Sequence, residues 1–130
     1  MLRMQKIPSK ILDRFPNPSK KKYLIEFECP EFTCVCPKTG QPDFGTIEIS
    51  YAPKEFCVEL KSLKLYLWSF RNEGHFHEAV TNQICDDLLK LLKPAYVKVV
   101  GNFYVRGGIK TIITATRGKL PKDVETTLFP

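Results

Sequence analysis

The hydrophobic pattern changes period twice along the chain. From Lys22 to Cys29 it alternates, with Tyr23, Ile25, Phe27 and Cys29 opposing Glu26 and Glu28, and this predicts a strand. Residues 45–51 alternate again, Ile47, Ile49 and Tyr51 opposing Thr46, Glu48 and Ser50. Between them, residues 30–44 (PEFTCVCPKTGQPDF) carry three prolines and a glycine, and read as a structured loop. The period then becomes helical. Leu60, Leu63, Leu67 and Phe70 form one stripe, with Lys61, Lys64, Trp68 and Arg71 beside it. After a break at Asn72–Gly74, the residues Val80, Ile84, Leu88 and Leu91 mark a second helix that must stop before Pro94. Alternation returns over 96–105, Gly107–Gly108 makes a tight turn, and 109–116 is the last strand.

The order is β-β-α-α-β-β, an α+β chain with an antiparallel sheet and both helices on one face. The expected organisation is an irregular N-terminal arm over 1–21, one domain over 22–116, and a polar, loose tail over 117–130. A four-stranded sheet has two open edges. Pairing those edges with neighbouring copies would close a barrel across subunits.

Composition narrows the class. At 130 residues there is room for one domain, and 43% hydrophobic with 26% charged residues excludes a disordered chain. No apolar run approaches the roughly 18 residues of a membrane span. The first ten residues lack the apolar stretch of a secretory signal, so the cytoplasm is the expected compartment. A net charge of +6 suits an anionic ligand, without choosing between a phosphorylated cofactor and nucleic acid. The five cysteines, an odd number, read as reduced thiols.

Three stretches can carry chemistry. In Cys36-Pro37-Lys38-Thr39-Gly40-Gln41-Pro42-Asp43 a cysteine opens a rigid loop and an acid closes it. A thiolate with a proton donor is the minimum set for addition to a carbonyl or nitrile. The same residues also read as a structural cysteine and a turn-forming Asp. In His75-Phe76-His77-Glu78, at the start of the second helix, Glu78 can accept two parallel N–H donors from a guanine-like edge, with His77 beside it. The plainer reading is an acid favoured by the helix dipole. In Glu59-Leu60-Lys61-Ser62-Leu63-Lys64-Leu65-Tyr66, Lys61 and Lys64 lie one turn apart and can hold phosphate, or simply form a solvated face. Cys29, Cys34 and Cys36 with the two histidines offer metal ligands, but lack the C-x2-C spacing of a structural zinc site.

Together these residues resemble the NADPH-dependent 7-cyano-7-deazaguanine reductases, the nitrile reductases of queuosine biosynthesis, a tRNA modification. The resemblance runs from about Tyr23 to Ile109, through EFTCVCPKTGQPDF, ELKSLKLY, FRNEGHFHE and VRGGI. It implies the tunnelling fold, or T-fold, whose barrel closes on oligomerisation, with sites at the interfaces of a pentamer or decamer. By matching position, Cys36 is the nucleophile that forms a thioimide and Asp43 the proton donor. His77, Glu78 and Glu59 bind substrate, while Glu59, Leu60, Lys61, Ser62, Lys64 and Arg106 bind NADPH. Leu60 stands where many relatives have Ser. Two NADPH per turnover are implied, with no flavin, metal, membrane or direct nucleic-acid partner. The alternatives are a related amidinotransferase acting on the same nitrile in tRNA, a zinc-dependent cyclohydrolase-like enzyme, and a basic nucleic-acid-binding module.

Overall fold

Strands of ten and eleven residues, where the alternation marks seven to ten, build the main sheet. The computed structural model describes residues 7–128. Its elements are β1 (Arg14–Pro16), β2 (Ile25–Val35), β3 (Pro42–Ala52), β4 (Phe56–Val58), α1 (Leu60–Trp68), α2 (His77–Leu92), β5 (Tyr96–Arg106) and β6 (Ile109–Gly118). The sheet is antiparallel in the order β2-β3-β5-β6, and β1 pairs with β4 in a separate two-stranded ribbon. The expected β-β-α-α-β-β core is present, and β1 and β4 are added to it.

The differences have local causes. The stretch 30–44 is mostly strand: β2 passes through Pro30 at a register shift between Cys29 and Phe32, and Pro42 opens β3. Proline is tolerated at a bulge on an edge strand or at a strand's first residue, where no ladder N–H is lost. Only Cys36–Gln41 remains as the hairpin loop. The arm holds a strand because Arg14, Phe15 and Pro16 pair with Val58, Cys57 and Phe56. Beyond Gly118 the described tail forms no helix or strand, and it touches β2 at one side chain. The backbone N–H groups of Thr127 and Leu128 donate to the two oxygens of Glu26, at 2.6 and 3.2 Å. Residues 1–6 of the arm and 129–130 of the tail lie outside the described residues.

The core lies between the sheet and the helices. Ile47, Ile49, Val97, Val99 and Phe103 face Leu63, Phe70, Val80, Ile84, Leu88 and Leu92. Leu60, read as part of the buried stripe, is exposed, because it is the first helical residue and α1 turns its inner face from Ser62 onward. In α2 the buried stripe ends on Leu92, with Leu91 only partly covered. A left-handed Lys93 at φ 46° then stops the helix before Pro94.

Gly101 sets how closely α2 approaches β5. A Cβ at that position would collide with Thr81 Oγ1 and with the Phe103 ring. The turn between β5 and β6 is made by Gly107 and Gly108, both at positive φ, 58° and 79°. Among the described residues no helix is long and apolar enough to cross a membrane.

Candidate active site

Two hairpin ends and a helix start converge on one open cleft of about 380 Å³, lined by Cys36, Asp43, His77, Glu78 and Arg106 among others. The backbone brings them together. Val35, the last residue of β2, donates its N–H to Glu73 O at 2.9 Å and accepts from His75 N at 3.0 Å. This bridge pulls the segment before α2 against the start of the Cys36 loop. The loop closes on itself through Cys36 N donating to Gln41 O and Gly40 N to Cys36 O, at 2.8 and 2.9 Å.

Asp43 is buried on β3 and pairs across the ladder with Cys34. One of its carboxylate oxygens accepts from the Arg106 guanidinium, and the other lies 3.3 Å from His77 Nε2. His77 is itself fixed, since its ring stacks on Phe103 with centroids 3.8 Å apart and planes 4° apart. Glu78 is exposed in the first turn of α2, and among the described residues its carboxylate has no ion-pair partner.

The two cysteines of this hairpin differ in chemistry. Hydrogen bonds from the Thr39 side chain and the Thr39 and Lys38 backbone, aided by the Arg106 charge, hold the Cys36 thiol below its ordinary value. Burial, with Asp43 and Cys36 nearby, pushes Cys34 up to about 11. Cys36 is therefore the thiolate-prone member and Cys34 the inert packing residue.

Arg106, expected from the resemblance as a cofactor contact, reaches two side chains of the Cys36 loop and one at the start of β3. They are Asp43, Thr39 Oγ1 at 3.0 Å and Gln41 Oε1 at 2.5 Å. Thr39, Gln41 and Phe103 were not singled out in the sequence. Their signals were weak: two polar residues flanking a loop glycine, and one aromatic in phase with the buried face of β5.

The ELKSLKLY residues lie elsewhere in the chain. Leu60 and Lys64, with Leu67, Trp68 and Arg71, line a groove of about 850 Å³ against β2. Glu59 caps α1, accepting from Lys61 N and Ser62 N at 2.7 and 2.8 Å, and these bonds hold its carboxyl below the usual range. The Ser62 hydroxyl is occupied too, donating to Glu59 O at 2.8 Å and accepting from Asp13 N at 2.9 Å. Among the described residues, no three His, Cys, Asp or Glu side chains converge as metal ligands.

The QueF-like protein family matches residues 42–122. The chain belongs to the QueF-like family. Curated members resemble it over nearly their full length. The NADPH-dependent 7-cyano-7-deazaguanine reductase of Anaeromyxobacter sp. (strain K) is 64% identical over 118 residues, 90% of this chain and 97% of that one. The protein of the same name from Alkalilimnicola ehrlichii is 58% identical over 113 residues, 86% of this chain and 88% of that one. A solved QueF-like structure, the apo archaeosine synthase, superposes with a TM-score of 0.69 at 22% identity, covering 75% of this chain and 96% of the other. At that identity the likeness concerns the fold, and the fold is the α+β tunnelling fold of the family.

Proposed function

We propose that this chain reduces the nitrile of 7-cyano-7-deazaguanine to the primary amine of 7-aminomethyl-7-deazaguanine, at the expense of two NADPH, within queuosine biosynthesis. The observation that carries the reading is the half-buried, thiolate-prone Cys36 in one cleft with Asp43, His77 and Glu78. The names of the relatives at 57–64% identity agree with it.

Glu78 binds the guanine-like edge through two parallel hydrogen bonds and orients the nitrile towards the sulfur. The Cys36 thiolate adds to the nitrile carbon, one C–N π bond breaks, and the nitrogen takes a proton from Asp43, leaving a covalent thioimide. Reduction of the thioimide carbon gives a tetrahedral centre that expels the sulfur as an imine forms. Reduction of the imine gives the amine. Nitrile to amine is a four-electron change, and each NADPH supplies one hydride, so two are consumed. The imine must be kept from water between the two reductions.

The exposed cations of α1 and of the turn after it fit a phosphorylated nucleotide: Lys64 and Arg71 border the large groove, with Trp68 and Leu60 as apolar walls, and Lys61 is exposed on the same helix. That groove and the Cys36 cleft share no residue within one chain. A homo-oligomer, pentamer or decamer, would bring the groove of one copy to the cleft of the next. Among the described residues the outer edges of β2, apart from Val35, and of β6 pair with no other strand, and with the exposed Tyr104, Val105, Ile109 and Ile112 they favour such pairing. We place the enzyme in the cytoplasm, where a nucleophilic thiol stays reduced.

Intact mass of the enzyme mixed with the cyano base and no nucleotide should rise by the mass of the base, on the peptide containing Cys36. With NADPH, absorbance at 340 nm should fall by two equivalents per amine formed. No adduct, or a ratio of one, would refute the reading.

A further inference from the structure

Lys10 marks the place where the N-terminal arm meets the segment that leads into α2. The arm docks on the last turn of α1, where Ser9 N donates to Leu65 O at 3.2 Å. The Lys10 ammonium then donates to Ser69 Oγ at 2.6 Å and to Glu73 Oε2 at 2.7 Å, and it lies 4.0 Å from the centroid of the buried Phe70 ring. The second oxygen of the same carboxylate lies 2.9 Å from His75 Nε2. At neutral pH that carboxylate is ionised and only accepts, so Nε2 carries the proton. The His75 ring stands edge-on to Phe70, with centroids 5.3 Å apart, and forms part of the cleft wall with Cys36 and Asp43. The backbone of the same two residues grips Val35, the neighbour of Cys36. Val35 N donates to Glu73 O and His75 N donates to Val35 O, at 2.9 and 3.0 Å.

We infer that Lys10 is a positioning residue for the cleft: its ammonium fixes the Glu73 carboxylate, Glu73 fixes the His75 imidazole, and the backbone of that pair clamps Val35 beside the nucleophile. Every link is a hydrogen bond of ordinary length. These links add little to the stability of the fold. The side chains of Lys10 and Glu73 are 37% and 44% exposed, and ion pairs so open to water are weak. What they supply is direction. The two oxygens of one carboxylate join a cation on the arm to a ring in the cleft wall, across 63 residues of sequence. The clamp sits one residue before Cys36, so a backbone shift there carries the sulfur with it. A misplacement of about 1 Å from the line of attack can cost on the order of 10²-fold in rate. The arm around Lys10 is thereby part of the catalytic unit, although it contributes nothing to the wall of the cleft.

The inference rests on the proposed addition of Cys36 to the nitrile, and hydrogen exchange tests the clamp with no nitrile present. In the full-length protein, Lys10→Met should speed exchange about fivefold in the peptic peptides that contain Val35 and His75. Peptides from the centre of β5 should exchange as in wild type, and the melting temperature should hardly move. Nucleotide-free adduct formation at saturating cyano base should slow about fivefold. Alkylation of Cys36 by iodoacetamide, a small reagent that needs no fixed approach, should stay within about twofold of wild type. Lys10→Arg keeps a cation and should restore addition to within about twofold. Glu73→Gln should slow addition at least as much as Lys10→Met does. The double variant should be no slower than Glu73→Gln alone, because the ammonium then has no charge to hold. Unchanged exchange in Lys10→Met, or slowing that multiplies in the double variant, would overturn the inference. So would Ser69→Ala as slow as Lys10→Met, which traces the effect to the seat of the arm on α1. Alkylation slowed as much as addition would replace positioning by an effect on the thiol itself. Faster exchange with an unchanged rate of addition would strip the clamp of any part in the reaction. A wild-type enzyme that forms no adduct with the cyano base would reject the nitrile reading alone, because the exchange rates still judge the clamp.

Discussion

His77 lies flat on Phe103, 3.8 Å between ring centroids, and that stack sets its Nε2 3.3 Å from Asp43. Phe103 is a core residue of β5, packed edge-on against Phe32. The imidazole is thus anchored to the sheet as well as to its own helix, where Thr81 Oγ1 donates to His77 O at 2.8 Å. A close packing position and a proton-bearing group are joined in one contact.

Phe103→Leu should separate the two roles. Leucine keeps most of the apolar volume, so unfolding free energy should fall by only about 1–2 kcal/mol, including the lost aromatic contacts. The flat platform disappears, and nucleotide-free adduct formation should slow about tenfold as His77 and Asp43 lose register. Thermal unfolding and stopped adduct formation measure the two effects. A loss of stability with an unchanged adduct rate would make the stack plain packing.

Asp43→Asn keeps the shape of the side chain and removes the proton-transfer group. Adduct formation should slow by about 10²–10⁴-fold, the usual range for losing a general acid. Binding of the cyano base, measured by equilibrium dialysis in a Cys36→Ala background so that no covalent step intervenes, should change by less than about threefold. Weakened binding with a preserved rate of addition would move Asp43 to substrate recognition.

How much of this was visible in the sequence depends on how local each feature is. The β5–β6 hairpin was legible because two adjacent glycines interrupt clean alternation, and α2 was legible because its apolar spacing is regular and Pro94 bounds it. The length of β2 and β3 was not, because Pro30 and Pro42 read as breakers until Pro30 is seen at an edge-strand bulge and Pro42 at a strand start. Three-residue strands such as β1 and β4 are too short to show a period. In the site, Cys36, Asp43, His77 and Glu78 stood out as candidates by residue type and spacing, with a plainer structural reading beside each, and the resemblance supplied their proposed roles; one cleft gathers them. The hydrogen bonds of Arg106 with Thr39, Gln41 and Asp43 were invisible: these partners lie more than sixty residues away, so only the fold brings them into contact. The Glu59 and Ser62 side chains, which the resemblance gives to ligand binding, also hydrogen-bond at the start of α1, a role the sequence did not show.

Glu78→Ala tests recognition apart from stability. Its carboxylate is exposed and unpaired among the described residues, so the melting temperature should hardly move. The dissociation constant for the cyano base should rise about 10–100-fold, the cost of a charged hydrogen-bond pair. Once base is saturating, addition to Cys36 should be close to wild type. An unchanged dissociation constant would remove Glu78 from the base edge.

Glu59 offers a prediction with a pH signature. Its carboxylate accepts two orphan N–H groups at the start of α1, and those bonds draw its folded-state pKa below the ordinary carboxylate value. A depressed folded value means that the ionised form binds the fold better than the protonated form does. The stabilisation is therefore fully present above the unfolded pKa of about 4.3 and fades as pH falls through the lower folded value. Glu59→Ala removes the cap, so its melting temperature should lie below wild type at pH 7. Glu59→Gln keeps an acceptor but no charge and should lie between them. The gap between wild type and Glu59→Gln should be constant from pH 7 to about 5 and shrink under more acid conditions, read by thermal scans across that range. A gap that widens towards acid pH would mean that the carboxyl is protonated in the fold, and the cap would then not be what holds α1 in register.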